Sequence, residues 1–366
     1  MVLLTFSKKS FFHFIQPSHL YIATLAFLAV TFLMVLALYT YLYIQKRRFF
    51  RNKLMTQALD DCIGALLIER TQDDLEKNVT PQLLKYLKKP ISRQLAIDQL
   101  INTRKNISGE AINNVIWLYN YLNLKEDSLK KFQSNVWYKK ARGIYELYMM
   151  NQRDMLLKIF KRTNSQNEYI RMEAQIAIIG FSGFEGLVFL NTLTYSLTEW
   201  HQIKLLEQLS TFNQVHLEKL PKWLQSSNKS VVMFALKLAD VYQQIFVHDE
   251  VTECLKDENE KIRLQAIKTL SRIAVDNTPQ ILQDQYDNEE YATKLEILRQ
   301  LAIIGSEEDI PFLLEKLNES DDNLKLEATR AIMKCSSNGE EIVEKKIEND
   351  NIPVSILKQV KYEQVR

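Results

Sequence analysis

Glycine and proline are scarce, eight and seven residues in a chain of 366, well below the average usage of about 7% and 5%. So few turn-formers leave little room for a strand-rich fold, and the chain reads as mostly helical. Cysteine is scarcer still. Cys62, Cys254 and Cys335 are widely spaced and make neither a CxxC pair nor a disulfide framework. Cys254 and Cys335 fall at apolar helix positions, where buried thiols sit, which fits a reducing compartment. The five histidines, His13, His19, His201, His216 and His248, show no HExxH or other metal-ligand spacing and read as surface residues. The chain has no GxGxxG or GxxxxGK phosphate loop and no GxSxG elbow. The glycine-bearing run GFSGFEG (180–186) lacks the preceding strand of a phosphate loop and reads as a connection between units. No catalytic, cofactor or metal residue is assigned, and the chain reads as non-catalytic.

Acidic residues are absent from the first 53 positions, which carry seven bases. The net charge of +2 therefore hides an asymmetry, because the remaining residues hold 40 bases against 45 acids. A general nucleic-acid binder carries a basic domain, so that class is disfavoured.

What the chain does have is one long uncharged run, Leu20–Ile44. As a helix rising about 1.5 Å per residue it covers roughly 37 Å, enough to cross a hydrocarbon core of about 30 Å with some tilt. Tyr21 at one end and Tyr39, Tyr41 and Tyr43 at the other suit the two interfacial belts. The run is longer than the apolar core of a signal peptide, roughly 7–15 residues, and reads as an uncleaved transmembrane anchor. Lys46, Arg47, Arg48, Arg51 and Lys53 follow it closely, whereas only Lys8 and Lys9 precede it. The positive-inside rule places the C-terminal side in the cytoplasm, with the anchor in the cell membrane. The basic cluster, with Phe49 and Phe50, is a stop-transfer flank or a patch that lies on an anionic leaflet. The expected organisation is an N-terminal segment (1–19), the transmembrane helix (20–44) and a basic juxtamembrane segment with a helix (45–79). Within the last, Leu54–Arg70 either extends the anchor helix or begins the following array.

The rest of the chain repeats itself. The amphipathic stretch Lys261–Ala274 (KIRLQAIKTLSRIA) has Ile262, Ala266, Leu270 and Ile273 on one face. With Ala266 as marker, equivalent positions are Ala174, Leu205, Ala235, Ile297 and Ala328, at steps of 31 or, once, 30 residues. A second apolar ladder, Phe189, Leu220, Val251, Leu282 and Leu313, keeps the 31-residue step, as does Leu193, Leu224, Leu255, Tyr286 and Leu317. Such a period marks a solenoid in which each unit buries its apolar face against its neighbours. Each unit is a helix A, a short turn and a helix B carrying the marker. The acidic turns DENE (257–260), DNEE (287–290) and ESDD (319–322) precede B helices and suit their positive ends. Regular repeats are expected over 155–366. A divergent set over 80–154 has looser spacing, with Ala96 and Ala141 as markers.

The B helices NEYIRMEAQIAIIG (167–180), NEKIRLQAIKTLSRIA (259–274), ATKLEILRQLAIIG (292–305) and DNLKLEATRAIMKC (322–335) resemble HEAT repeats, in particular the short bacterial HEAT-like repeats also found in phycobilisome lyases. A basic residue three before the marker (Arg171, Arg263, Lys294, Lys325) and the apolar-apolar-Gly endings at 178–180 and 303–305 carry the resemblance. It implies an all-α, right-handed α-solenoid that holds protein partners along its concave B-helix face, with no activity and no cofactor implied.

Two positions after the marker stand Lys237, Lys268, Arg299 and Arg330, and six after it Arg272 and Lys334. These six form a candidate stripe for an acidic segment of a protein partner, the alternative being a solvated helix face. The basic residues three before the marker are expected to tie repeats together through turn carboxylates. The reading is a membrane-anchored scaffold that binds a protein partner at the cytoplasmic face, with no small-molecule substrate and no nucleic acid. The alternatives are an accessory module of a membrane-associated enzyme, of the lyase-like kind, or, with less support, a HEAT-type nucleic-acid binder.

Overall fold

All seven prolines mark helix starts. Pro17, Pro81, Pro90, Pro221, Pro279 and Pro311 lie in first turns and Pro353 just precedes a helix, where the missing N–H costs nothing. The computed structural model describes residues 17–68, 76–213, 216–350 and 353–364. Among these every regular element is an α- or 3-10 helix. The expected N-terminal segment 1–19, apart from its last three residues, and residues 69–75 of the expected juxtamembrane segment lie outside the described residues.

The chain divides into two compact units, Met1–Asp127 and Ser128–Arg366. In the first, α1 (Pro17–Ile68) is one unbroken helix of 52 residues. The stretch from Leu54 to Ile68 therefore extends the helix that carries the apolar run. The helix is long and apolar enough to cross a membrane, and none of its most apolar window is buried. A second stretch, Glu168–Thr192, passes the same test of length and hydropathy but is two-thirds buried, as a core segment is. Toward its C-terminal end α1 packs on α2 (Pro81–Tyr86), α3 (Pro90–Asn106) and α4 (Ala111–Tyr121). Met55, Leu59, Cys62 and Ile63 are buried there, as are Leu83, Ile97, Leu100 and Leu118 on the other three helices. Thr80 caps α2 by accepting from the Leu83 N–H. Arg93 clamps the end of the unit, donating to Asp127 Oδ2 at 2.7 Å and to the carbonyls of Leu122 and Asn123.

The second unit holds α5 (Lys125–Gln133) for most of its length, then α6 (Trp137–Met149), α7 (Leu156–Phe160) and α8 (Glu168–Ser182). There follow α9 (Glu199–Leu209), α10 (Leu220–Leu224), α11 (Lys229–Val241), α12 (His248–Glu253) and α13 (Glu260–Arg272). The last are α14 (Thr278–Tyr286), α15 (Tyr291–Ile304), α16 (Ile310–Lys316), α17 (Asp322–Cys335), α18 (Gly339–Asp350) and α19 (Val354–Gln364). The B helices are α8, α9, α11, α13, α15 and α17. All six of their markers, Ala174 to Ala328, are fully buried, and every member of the two A-helix ladders is buried as well. The B helices α11, α13, α15 and α17 each pack on the next, and one apolar core runs from Ile179 to Val360. This is an α-solenoid.

A third column fixes where each B helix begins. Seven residues before the markers stand Asn167, Thr198, Asn228, Asn259, Glu290 and Asp321, and all except Glu290 accept a backbone N–H of the first turn, the preferred way to satisfy an orphan donor. The run GFSGFEG is more ordered than a connecting loop: α8 continues to Ser182, Gly183 stops it with φ +59°, and residues Gly183–Thr192 wind as a 3-10 helix. That helix takes the place of helix A and carries Phe189.

Candidate functional site on the B helices

Four of the six residues of the candidate stripe do not stand alone. Lys268 Nζ lies 3.9 Å from Glu296 Oε2, which is 3.8 Å from Arg299 Nη1. Arg299 Nε reaches Glu327 Oε1 at 3.0 Å; Glu327 also pairs with Arg330 at 2.8 Å, and Arg330 ends the chain on Glu363. Cations and carboxylates thus alternate along three repeats, with Glu296 and Glu327 nearly buried and Arg299 half exposed. Arg272 stands 3.7 Å from Asp240, whose carboxyl burial pushes above its ordinary pKa despite Arg272 and a hydrogen bond from Gln265. Lys237 and Lys334 have no ionic partner among the described residues.

The compensating carboxylates come from the position just before the marker of the next B helix, 28 residues on from the cation in both inner steps (268 to 296, 299 to 327). The acidic turns are not involved. The basic residues three before the marker differ from the expected ladder. Arg263 does tie repeats together, donating through Nε to both oxygens of Glu289 at 2.9 and 3.0 Å. Arg171 instead donates to the Ser165 and Gln166 carbonyls and lies over Tyr195. Lys294 sits 5.0 Å above the Tyr286 ring, and Lys325 pairs with Asp322 of its own helix. The reason is in the sequence: positions 197 and 320, equivalent to Glu289, are Leu and Ser.

An aromatic groove occupies the B face of α6 and α8. Trp137 stacks on Tyr169 with ring centroids 4.9 Å apart and meets Tyr138 edge-on, and Arg142 lies over Tyr145. With Ala141 and Glu173 these residues line a hollow of 290 Å³. Trp137, Tyr138 and Tyr169 are each about half exposed (46%, 56% and 54%). Sequence reading missed the groove because it followed the buried ladders, whereas Trp137 and Tyr169 stand in the first turns of their helices, ahead of those ladders.

Two histidines read as surface residues are buried. His248 Nε2 is 2.9 Å from Thr278 Oγ1, so HDE (248–250) is no open cluster. His201 is 2% exposed, its Nε2 has no partner, and its pKa falls to about 4 through burial and the nearby Arg171 guanidinium. Both sit on the apolar side of their helices, where packing recruits the ring's hydrocarbon. Burial pushes the thiols of Cys254 and Cys335 up to about 11. Among the described residues no group of three His, Cys, Asp or Glu is arranged to hold a metal.

The flank cluster Lys46, Arg47, Arg48, Arg51 and Lys53 lies on α1, and none of the five has an ionic partner among the described residues. Arg51 is partly covered; the others are exposed.

Comparison with known proteins gives the repeats a family. Residues 249–333 match the family of HEAT repeats, and the repeats of this chain are HEAT-like. No curated protein matches the chain. Among solved structures, an engineered protein shares 15% identity over 83% of this chain and 87% of its own, with a TM-score of 0.38. Human deoxyhypusine hydroxylase in complex with glycerol shares 12% over 77% and 97%, with a TM-score of 0.27. The complex of CpcE and CpcF of phycocyanin lyase from a Nostoc species shares 12% over 74% and 94%, again with a TM-score of 0.27. Likenesses this loose say nothing about activity.

Proposed function

We propose that this chain of HEAT-like repeats is a non-catalytic scaffold, anchored in the cell membrane by residues 20–44, that holds a protein partner on the B-helix face in the cytoplasm. The bare apolar run supports the anchor, because one helix continues from it into a packed helical unit. The five bases that follow the run support the cytoplasmic orientation.

The observation that carries partner binding is the Trp137–Tyr169 stack. Trp, Tyr and Arg dominate the few residues that supply most interface energy, and here they line a hollow left uncovered by this chain. The stripe contributes differently along its length. An acidic partner segment has to compete with Glu296, Glu327 and Glu363 for Lys268, Arg299 and Arg330, whereas Lys237 and Lys334 offer open charge.

Crosslinking in intact membranes, with a photoreactive residue at Tyr138, tests the reading. The expected result is one discrete protein adduct that disappears in the W137A/Y169A variant and weakens in the charge reversal K268E/R299E/R330E. Retention of the adduct by W137A/Y169A overturns the groove. Release of the parent chain by alkaline carbonate overturns the anchor, and an extracytoplasmic signal from a reporter fused at Arg366 overturns the orientation.

A further inference from the structure

We infer that Arg51, Lys85 and Lys89 form a pocket for the phosphate of an anionic membrane-lipid headgroup. The inference rests on the membrane-anchored reading above and concerns the first unit alone.

A hollow of 520 Å³ opens between α1 and the segment that carries α2, lined by Arg51, Pro81, Gln82, Lys85, Tyr86 and Lys89. Three cations line it and no carboxylate does. None of the three side chains has a hydrogen bond or ion pair among the described residues, in contrast to Lys268, Arg299 and Arg330 of the repeats. Arg51 Nε is shielded from solvent and still has no acceptor. A guanidinium N–H placed so leaves a strong donor unsatisfied, which is costly unless an acceptor enters the pocket.

Sequence and helix geometry explain why these groups converge. Arg51 lies one turn before Met55, the first buried position of α1, so it stands on the packed face where that face runs out. Lys85 ends the short helix begun at Pro81, and Lys89 precedes the next helix at Pro90. Gln82 donates to Tyr86 Oη at 3.1 Å, leaving the phenol O–H directed elsewhere. A planar guanidinium fork, two ammonium groups and a hydroxyl donor match the oxygens of a phosphate.

Depth selects the lipid as its source. Arg51 is seven residues beyond Ile44, about 10 Å along the helix and less along the membrane normal once the helix tilts, which sets it at the outer edge of the headgroup layer with its long side chain able to reach back. Phe49 and Phe50 beside it are exposed aromatics, edge to face at 6.0 Å, suited to the same interface. Juxtamembrane bases attract anionic lipids through the surface potential of the cytoplasmic leaflet; the pocket adds a defined seat.

The test uses the full chain in a neutral detergent, titrated with dioctanoyl phosphatidic acid, dioctanoyl phosphatidylcholine and inorganic phosphate, with binding followed by tyrosine and tryptophan fluorescence. The expected result is saturable binding of phosphatidic acid, weakened at least tenfold in R51Q and in K85E/K89E, with no saturable binding of phosphatidylcholine. Lys85 and Lys89 are exposed, so K85E/K89E keeps the fold even where R51Q disturbs α1, and circular dichroism melting checks both. Equal binding of the two lipids, or unchanged binding in K85E/K89E, overturns the pocket. Inorganic phosphate binding as tightly as phosphatidic acid overturns the lipid as its natural occupant. Carbonate extraction separates this from the anchor: both variants keep residues 20–44 and stay in the membrane, whereas failure of the anchor releases the parent as well.

Discussion

The guanidinium of Arg299 meets the carboxylate of Glu327 at 3.0 Å, across 28 positions of chain and from one B helix to the next. Glu327 is nearly buried and is shared with Arg330, so the pair belongs to a ladder that runs through Glu296 to Lys268. We expect the R299A and E327Q substitutions to be non-additive in urea unfolding, with a coupling of about 0.5–1 kcal/mol that shrinks at high salt. Additive effects, unmoved by salt, would show that the ladder is a geometric coincidence.

Capping offers a gain as well as a loss. Asn259 and Asp321 accept first-turn N–H groups, whereas Glu290 makes no such bond at the equivalent place. N259A and D321A are each expected to cost about 1 kcal/mol, and E290N to stabilise α15 by a few tenths of a kcal/mol or more. Amide hydrogen exchange in the first turn of each helix reports the change locally. No difference between E290N and the parent would mean that water already serves those donors.

Gly143 allows two helices to touch. A Cβ placed there meets the Phe132 backbone nitrogen at 2.3 Å, whereas one placed at Gly64 meets nothing within 4 Å. G143A is therefore expected to destabilise the second unit by roughly 2–3 kcal/mol, since backbone gives way less readily than a side chain. G64A should be neutral or stabilising through helix propensity, by up to about 1 kcal/mol. Thermal melts that place the two variants together would contradict the close approach.

His201 sets a pH dependence. Its pKa is lowered to about 4 in the fold, against about 6.5 in an unfolded chain. Between those values the unfolded state binds the extra proton, so stability must fall as pH falls from about 6.5 toward 4. The contribution is full above pH 6.5, and its loss is on the order of 3 kcal/mol at the acid end. H201F removes the ring's titration, and its urea midpoint should vary less over that window than the parent's. An equal slope in both would assign the acid sensitivity to carboxylates.

Much of this molecule was readable one residue at a time. The markers Ala174 to Ala328 and the ladders from Phe189 to Leu313 recur because every unit must bury the same face against its neighbour, and that demand writes a fixed period into the sequence. The run Leu20–Ile44 was readable for a similar reason: its length and lack of charge are properties of the chain alone. The capping column from Asn167 to Asp321 was equally regular, and apolar periodicity passed over it because its residues are polar.

What only the tertiary structure decided was pairing. Sequence shows that Lys268, Arg299 and Arg330 form a column, but whether that column is open charge depends on the rise from one B helix to the next. That rise sets Glu296 and Glu327 beside them. Helix packing elsewhere leaves Trp137 and Tyr169 stacked and uncovered, buries His201 Nε2 without a partner, and closes Arg51, Lys85 and Lys89 around one hollow. Local pattern fixes which face of a helix is apolar. Distances between charges on different helices follow from how those faces pack, and no single segment of the chain contains that information.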